Sequence, residues 1–230
     1  MPRRFAGETS VNDRKFKGSG QNAVPTRALV PTGGYSTTRC LTGRITTAMY
    51  FGLDFRNGTE ILRDKHGKYA THVFTETAEQ IIRNHNTSKP LFLYLAHLAA
   101  HAGNLFKPEE APPEVISKFK YIKNFYRRIH AATVSVMDDG VGSVFRALHE
   151  KDMLKNSIFM FVSDNGAEVN PKEGGYGSNY PLRGNKFTQW EGGIHVPAVI
   201  WSPLLNLKKP RVAKQLMHVS DWLPTLYRAA

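Results

Sequence analysis

The chain has 230 residues, of which 41% are apolar and 22% charged, and this composition is typical of a folded globular protein with a sizeable core. No stretch approaches the roughly 18 consecutive apolar residues of a membrane-spanning helix. The single cysteine, Cys40, excludes an internal disulfide framework and a cysteine-based zinc site.

Half of the net charge of +12 lies near the amino terminus. Residues 1–48 contain eight Lys or Arg against Glu8 and Asp13, which gives +6 and leaves +6 for the rest of the chain. Such charge attracts nucleic acid, anionic lipid or sulfated polysaccharide. Because neither interleaved aromatic residues nor a nucleic-acid motif accompany it, we interpret residues 1–48 as a solvated, irregular basic leader and expect no nucleic-acid partner.

Regular structure is predicted from about residue 49 onward. Residues 51–58 read as a short strand followed by a turn, and residues 69–85 as a helix with Val73, Ala78, Ile81 and Ile82 on one face. Residues 91–96 form a continuous apolar run, as in a strand buried on both faces of a parallel sheet. Two histidines, His97 and His101, follow this run and are equivalent by chemistry alone.

The second half of the chain repeats this alternation. Apolar residues from Ile122 to Leu148 recur mostly every three or four positions, which predicts a long helix weakened by about 1 kcal/mol at each of Gly140 and Gly142. Strands are predicted at 158–162 and 196–201, and a helix at 220–227. We therefore predict an α/β fold with a mostly parallel sheet flanked by helices over residues 49–230.

Polar residues after the strand at 158–162 carry the strongest functional signal. Asp164 and Asn165 are hard oxygen donors at the carboxyl end of a strand, where α/β sheets bind ligands. About twenty residues later comes the cationic segment 181–186, which contains Arg183 and Lys186. This combination suits a divalent cation that neutralises an anionic substrate, with a lysine assisting.

Several ordered motifs resemble the sulfatases of the alkaline-phosphatase-like superfamily, and most closely their arylsulfatase B (N-acetylgalactosamine-4-sulfatase) type. The resemblance covers roughly residues 52–230 and rests on these segments: Gly52-Leu53-Asp54-Phe55-Arg56-Asn57-Gly58; Lys89-Pro90-Leu91-Phe92-Leu93-Tyr94-Leu95-Ala96 with His101; Phe161-Val162-Ser163-Asp164-Asn165-Gly166; Pro181-Leu182-Arg183-Gly184-Asn185-Lys186; Trp190-Glu191-Gly192-Gly193; and His218-Val219-Ser220-Asp221-Trp222-Leu223-Pro224-Thr225-Leu226.

The resemblance implies a role for four residues. Asp164 and Asn165 match the calcium ligands of the family, whereas His101 and Lys186 match the residues that contact the sulfate group or the leaving oxygen. Hydrolysis of a sulfate ester requires stabilisation of charge on the transferring group and protonation of a poor leaving group. The implied cofactor is calcium, and the implied substrate is a sulfated sugar, such as a glycosaminoglycan unit, or an aryl sulfate.

Other parts of the family pattern are missing. The family has an upstream Asp-Asp pair, for which Asp138-Asp139 is a poor substitute within a predicted helix. It also has a Cys-x-Pro/Ala-x-Arg motif, whose cysteine becomes the formylglycine nucleophile, whereas residues 40–44 have threonine at the central position. A Gly-Lys-Trp-His-Leu-Gly segment is absent as well. We therefore predict the carboxyl-terminal part of a sulfatase domain, as a truncated gene model, splice form or degenerate copy gives, with an incomplete calcium site and no hydrolysis by this chain alone.

Two alternatives to a sulfatase stay open. One is a non-catalytic protein that binds sulfated polysaccharide, and the other is a phosphate-ester hydrolase or transferase on the same superfamily fold. The resemblance implies a lysosomal or secretory location, with which the sequons at Asn57 and Asn86 agree, although residues 1–18 lack the apolar core of a signal peptide.

Overall fold

The computed structural model describes residues 33–35, 53–103 and 108–229, so Cys40 and Arg44 lie outside the described residues. The described strands are β1 (Gly33–Tyr35), β2 (Leu53–Asn57), β3 (Glu60–Ile61), β4 (Phe159–Val162) and β5 (Ala198–Trp201). The described α-helices are α1 (Ala70–Asn84), α2 (Pro113–Ile116), α3 (Phe125–Glu150), α4 (Glu191–Ile194) and α5 (Trp222–Ala229). Short 3-10 helices occur at Arg63–Lys65, Ser117–Phe119, Leu154–Asn156, Pro171–Glu173, Pro203–Leu205 and Val219–Asp221.

Helix α1 forms where the apolar period predicts it. Ala78 and Ile82 are buried against α3, and Ile82 is fully inaccessible to solvent, whereas Val73 is buried in a second cluster with Phe55 and Phe74. The helix ends at His85, whose ring Nε2 lies 2.8 Å from the carbonyl oxygen of Lys89. The turn over residues 86–89 then redirects the chain.

Helix α3 runs unbroken through both of its glycines. It begins at Asn124, whose side-chain oxygen accepts a hydrogen bond from the backbone N–H of Arg127 at 2.9 Å. Its main contact is with α1, and their buried residues form one core cluster: Ala78, Ile82, Val144, Ala147 and Leu148. Gly140 is buried and packs closely on α1, and the helix is not broken there.

The mostly parallel sheet predicted from the sequence is not shown in the described part of the chain. Strands β1, β2 and β3 pair antiparallel, and β4 pairs antiparallel with β5 from Phe159 opposite Trp201 to Val162 opposite Ala198. In the predicted strand at 91–96, only Leu91 forms a β-bridge. Its leucines pack instead against the α1–α3 core and so bury apolar surface without strand pairing.

The remaining predicted elements form close to their expected positions. Pro197 directly precedes β5, as expected for a proline at a strand start. The small sheet rests on α3 through the ring of Phe145, whose centroid lies 4.2 Å from that of Phe159 and 5.2 Å from that of Trp201. Among the helices that the structure describes, none is both long and apolar enough to cross a membrane.

The two glycines of α3 provide a matched test of this packing. A Cβ atom on Gly140 would lie 2.5 Å from the Oγ1 atom of Thr75 in α1, whereas one on Gly142 would meet only Arg146 Nη1 at 3.4 Å. We expect Gly142→Ala to raise the free energy of unfolding by up to about 1 kcal/mol through helix propensity. Gly140→Ala should lower it by about 1–3 kcal/mol through overpacking. Urea denaturation measures both changes.

Removal of the obstructing hydroxyl supplies the control. Because Thr75 Oγ1 is the nearest atom to the added methyl group, Thr75→Ala combined with Gly140→Ala should recover most of the loss caused by Gly140→Ala alone. Equal stabilisation by the two glycine substitutions would contradict the close packing of α1 on α3.

Candidate functional site

The two predicted metal ligands lie in the turn that ends β4. Ser163 continues the strand pairing through its backbone N–H, which donates to the carbonyl oxygen of Pro197 at 3.2 Å. Asp164 is exposed, and its Oδ1 atom accepts a hydrogen bond from the backbone N–H of Asn165 at 2.9 Å. The second carboxylate oxygen therefore stays available at the strand end.

The next residue, Gly166, brings three backbone segments together. Its N–H donates to the carbonyl oxygen of Gly193 at 2.8 Å, and a Cβ atom here would lie only 1.8 Å from the carbonyl oxygen of Gly192. Gly192 is equally restricted, because its Cβ would lie 2.2 Å from the carbonyl oxygen of Gly184. Only glycines at Gly166 and Gly192 permit this approach. Their contact joins the end of β4 to the segment that carries Lys186.

Asn179 fixes the same junction through its side-chain amide. Its oxygen accepts from the N–H of Ala167 at 2.8 Å, and its nitrogen donates to the carbonyl oxygens of Ala167 at 2.9 Å and Gly184 at 3.2 Å. The N–H of Lys186 also donates to Ala167 at 3.1 Å. The sequence analysis missed Asn179, because an asparagine before Tyr-Pro gives only a turn signal.

The predicted substrate-binding residues are in direct contact, although 85 positions separate them. Lys186 Nζ lies 2.8 Å from His101 Nε2, and His101 Nδ1 lies 2.7 Å from the carbonyl oxygen of Ala102. Because a carbonyl oxygen only accepts and an ammonium group only donates, the proton of the imidazole belongs on Nδ1 and Nε2 accepts from Lys186. His101 is exposed, whereas Lys186 is half-buried.

The structure also distinguishes His101 from His97. His97 is largely shielded from solvent, and its buried Nδ1 atom has no hydrogen-bond partner among the described residues. Burial lowers the pKa of His97 below its usual range, because the charged form loses solvation. Of the two histidines, His101 is therefore the exposed one that contacts a cation, Lys186.

The other polar side chains of the loop hold it in shape. The guanidinium of Arg183 lies 3.7 Å from the ring centroid of Trp190, in a cation–π contact. Glu168 accepts from the N–H groups of Val169 at 2.9 Å and Asn170 at 2.8 Å, and from Asn185 Nδ2 at 3.3 Å. Arg183 and Glu168 thus order the loop.

The oxygen donors fit a divalent cation by type but not by number. A carboxylate and an amide oxygen are ligands that calcium prefers, yet calcium takes 6–8 oxygens. Within residues 33–35, 53–103 and 108–229, no group of three or more His, Cys, Asp or Glu is arranged to hold a metal ion. Asp138 and Asp139 are exposed in the middle of α3 rather than at its end. A calcium ion at Asp164 and Asn165 would therefore need further ligands from water, from substrate or from other residues.

A small cavity lies behind His101. Its volume is about 60 Å³, and its walls include Tyr69, Thr71 and the buried Glu109. Glu109 Oε1 lies 2.9 Å from His130 Nδ1 on α3. Ligand pockets usually have volumes of about 300–1,000 Å³. This cavity is therefore too small to enclose a drug-sized ligand.

Comparison with known proteins identifies what this chain is similar to. The family model described as Sulfatase matches residues 8–230. Arylsulfatase J of Mus musculus is 42% identical over 164 residues, which cover 71% of this chain and 26% of that protein. N-acetylgalactosamine-6-sulfatase of Rattus norvegicus is 34% identical over 158 residues, 67% of this chain and 28% of that protein.

Among solved structures, the crystal structure of Ps i-CgsB in complex with k-i-k-neocarrahexaose aligns with a TM-score of 0.57 and 30% identity. The alignment covers 65% of this chain and 31% of that one. The chain spans about a quarter of the length of the curated relatives it matches. The family match begins inside the predicted leader, and the boundary near residue 48 stays a prediction.

The burial of His97 predicts how the stability of the fold depends on pH. Its pKa is lowered in the folded state, so the unfolded chain binds more protons below a pH of about 6.5 and stability falls on acidification. We expect His97→Leu to flatten the decline in melting temperature between pH 7.5 and pH 5. The exposed His149 provides the control, since His149→Gln should leave the decline unchanged. Identical pH profiles for wild type and His97→Leu would contradict this account.

Proposed function

The chain belongs to the sulfatase family, and from this premise we propose that His101 and Lys186 bind the sulfate group of a sulfate ester. We further propose that Asp164 and Asn165 bind a calcium ion at the end of β4. The observation that carries the proposal is the 2.8 Å contact between Lys186 Nζ and His101 Nε2, which joins distant residues at one exposed point.

The geometry of this pair suits an anionic ligand. Lys186 has three ammonium protons, one of which His101 Nε2 accepts, and two remain for sulfate oxygens. The imidazole is held in turn by the carbonyl oxygen of Ala102. Lys186 is half-buried, so its ammonium group loses less mobility on binding than a fully exposed lysine does. His101 therefore acts by positioning the ammonium group, because Ala102 and Lys186 engage both of its ring nitrogens.

A calcium ion at Asp164 and Asn165 would supply positive charge to neutralise the sulfate. Asp164 offers one carboxylate oxygen outside its hydrogen bond to Asn165. Without a cation, that carboxylate would repel a sulfate group held by Lys186.

The names of the relatives support a class of substrate. One is named for N-acetylgalactosamine 6-sulfate chemistry, and the aligned structure holds a neocarrahexaose. We propose a sulfated sugar as the ligand of this chain. The exposed position of His101 supports a sugar within a polymer as this ligand. Exposed Asn57 and Asn86, both in sequons, are compatible with the proposed lysosomal or secretory location.

Hydrolysis needs a nucleophile in addition to this binding site. The cysteine-containing segment 40–44 departs from the formylglycine motif and lies outside the described residues. We therefore propose that the 230-residue chain binds sulfate esters without hydrolysing them, and that hydrolysis belongs to the complete family site.

Lys186 provides the first test. Loss of a charge-assisted hydrogen bond of about 1.5–3 kcal/mol should weaken binding of N-acetylgalactosamine 6-sulfate roughly 10- to 100-fold in Lys186→Gln. Isothermal titration measures the affinity, and the His101 ring signals in NMR should shift on addition of ligand to wild type. Lys172→Gln, in the same loop but exposed and without a side-chain partner among the described residues, should bind as wild type.

The same preparation distinguishes binding from catalysis. Sulfate release from an aryl sulfate should be absent from the wild-type chain, and release that disappears in Cys40→Ala would overturn the proposed inactivity. Equal affinity of the Lys186 and Lys172 variants would overturn the sulfate site itself.

Asp164 provides the test for calcium. Ligand bound to the native state stabilises it by about 2.7 kcal/mol at 100 times the dissociation constant. Calcium chloride should therefore raise the melting temperature of wild type, and Asp164→Asn should remove the rise. Asp138→Asn, on the exposed face of α3, serves as the matched control. A rise of equal size in both variants would exclude Asp164 as a ligand.

A further inference from the structure

Three aromatic rings, two of them exposed and one half-buried, form a shelf at the start of α3. Tyr126 stacks on Tyr176 with ring centroids 4.9 Å apart and planes inclined by 19°, and Phe125 meets Tyr126 edge-on at 5.6 Å. Phe125 is 58% exposed and Tyr126 is 40% exposed. We refer to Phe125, Tyr126 and Tyr176 as the aromatic shelf. Two of its members begin α3, and the third lies fifty residues later in the loop after β4.

The shelf is held rigidly by backbone contacts. The guanidinium of Arg127 donates a hydrogen bond to the carbonyl oxygen of Tyr176 and so fixes that loop to α3. Arg128 donates from Nε and Nη2 to the carbonyl oxygen of Ile122, at 3.0 and 2.9 Å, which orders the turn before the helix. The rings are therefore arranged before any ligand arrives, which lowers the entropic cost of binding.

Three exposed lysines precede the shelf in the chain. Lys118, Lys120 and Lys123 lie between α2 and the start of α3, and none of them forms an ion pair within the described residues. In this segment, residues 118–126, aromatic and basic side chains do alternate, contrary to the absence of interleaved aromatic residues stated above. The three lysines and the first two rings of the shelf therefore lie within nine residues of the chain.

The loop that carries Tyr176 passes beside the segment of the candidate site that carries His101. Tyr176 lies two residues after Gly174, where an added Cβ would be 3.3 Å from the Cβ of Ala102 and 3.1 Å from that of Pro108. Ala102 in turn directly follows His101 and accepts a hydrogen bond from its ring. The loop that carries Tyr176 therefore packs against the segment that carries His101.

We propose that the aromatic shelf and the three lysines form an extended binding surface for a sulfated oligosaccharide chain, one of whose sulfates is held by His101 and Lys186. This inference rests on the proposed function of that site. The apolar faces of pyranose rings pack on exposed aromatic rings, and the lysines are placed to pair with sulfates on neighbouring units. The surface selects a polymer over a single sulfated sugar.

Single-stranded nucleic acid is the competing occupant, because it also combines stacking with phosphate charge. Proximity of the Tyr176 loop to the segment that carries His101 favours the sulfated sugar, since the shelf then extends a site that already holds one sulfate. The same proximity predicts that affinity depends on chain length.

The test compares two ligands, N-acetylgalactosamine 6-sulfate and a hexasaccharide that carries it, by isothermal titration against the full chain. We expect wild type to bind the hexasaccharide at least about tenfold more tightly. Phe125→Ala, and separately the joint change of Lys118, Lys120 and Lys123 to Gln, should remove most of that difference without altering the affinity for the monosaccharide. A structural defect would instead lower both affinities.

Matched controls lie elsewhere on the chain. Tyr227→Ala in α5 removes an exposed aromatic ring, and the joint change of Lys208, Lys209 and Lys214 to Gln removes equal charge; both should keep the tenfold preference. A hexasaccharide preference that is absent, or that survives both shelf variants, would overturn this inference and leave the sulfate site standing. Single-stranded DNA that binds as tightly, with the same sensitivity to the shelf variants, would also overturn it. Absence of binding by both sugars would overturn the proposed function, and this inference with it.

Discussion

The contact of Gly166 with the backbone of Gly192 and Gly193 is the constraint on which the site depends. A strand end and a cationic loop can meet this closely only where no side chain intervenes. A Cβ atom on Gly166 would lie 1.8 Å from the carbonyl oxygen of Gly192, which leaves no room for even a methyl group. The junction places the backbone of Lys186 beside Ala167, two residues after Asn165. Asp164, Asn165 and Lys186 therefore belong to one constellation because of packing between main chains.

The α1–α3 pair supports the other half of the site. Tyr69 donates to the carbonyl oxygen of Glu110 at 3.1 Å from the start of α1, and His130 on α3 contacts the buried Glu109. These contacts fix residues 108–110. The N–H of Gly103 donates to the carbonyl oxygen of Pro108 at 2.6 Å, so residues 108–110 lie next to the segment that carries His101. His101 thus reaches Lys186 from a framework whose rigidity comes from the buried core of Ala78, Ile82 and Ala147.

The sequence predicts local elements better than their assembly. Apolar periodicity correctly places α1 and α3 because each buries one face, and it predicts β4 and β5 because apolar runs end at Ser163 and begin after Pro197. The same reasoning failed at 91–96, since an apolar run indicates burial and does not specify whether strand pairing or packing on helices provides it. The choice of His101 and Lys186 as substrate-binding residues followed from family resemblance alone, and their direct contact was not predicted, because no local pattern encodes a contact across 85 residues.

Electrostatics couple the two halves of the proposed site. Asp164 is a fixed negative charge and Lys186 a fixed positive one, so the described residues alone offer a sulfate both attraction and repulsion. A divalent cation bound to Asp164 would make the local charge positive, so this end of β4 would attract anions instead of repelling them. By thermodynamic reciprocity, a sulfate ester must then raise the affinity for the cation by the same factor by which the cation raises affinity for the ester. Calcium and substrate binding are therefore expected to be cooperative even where no bond is broken.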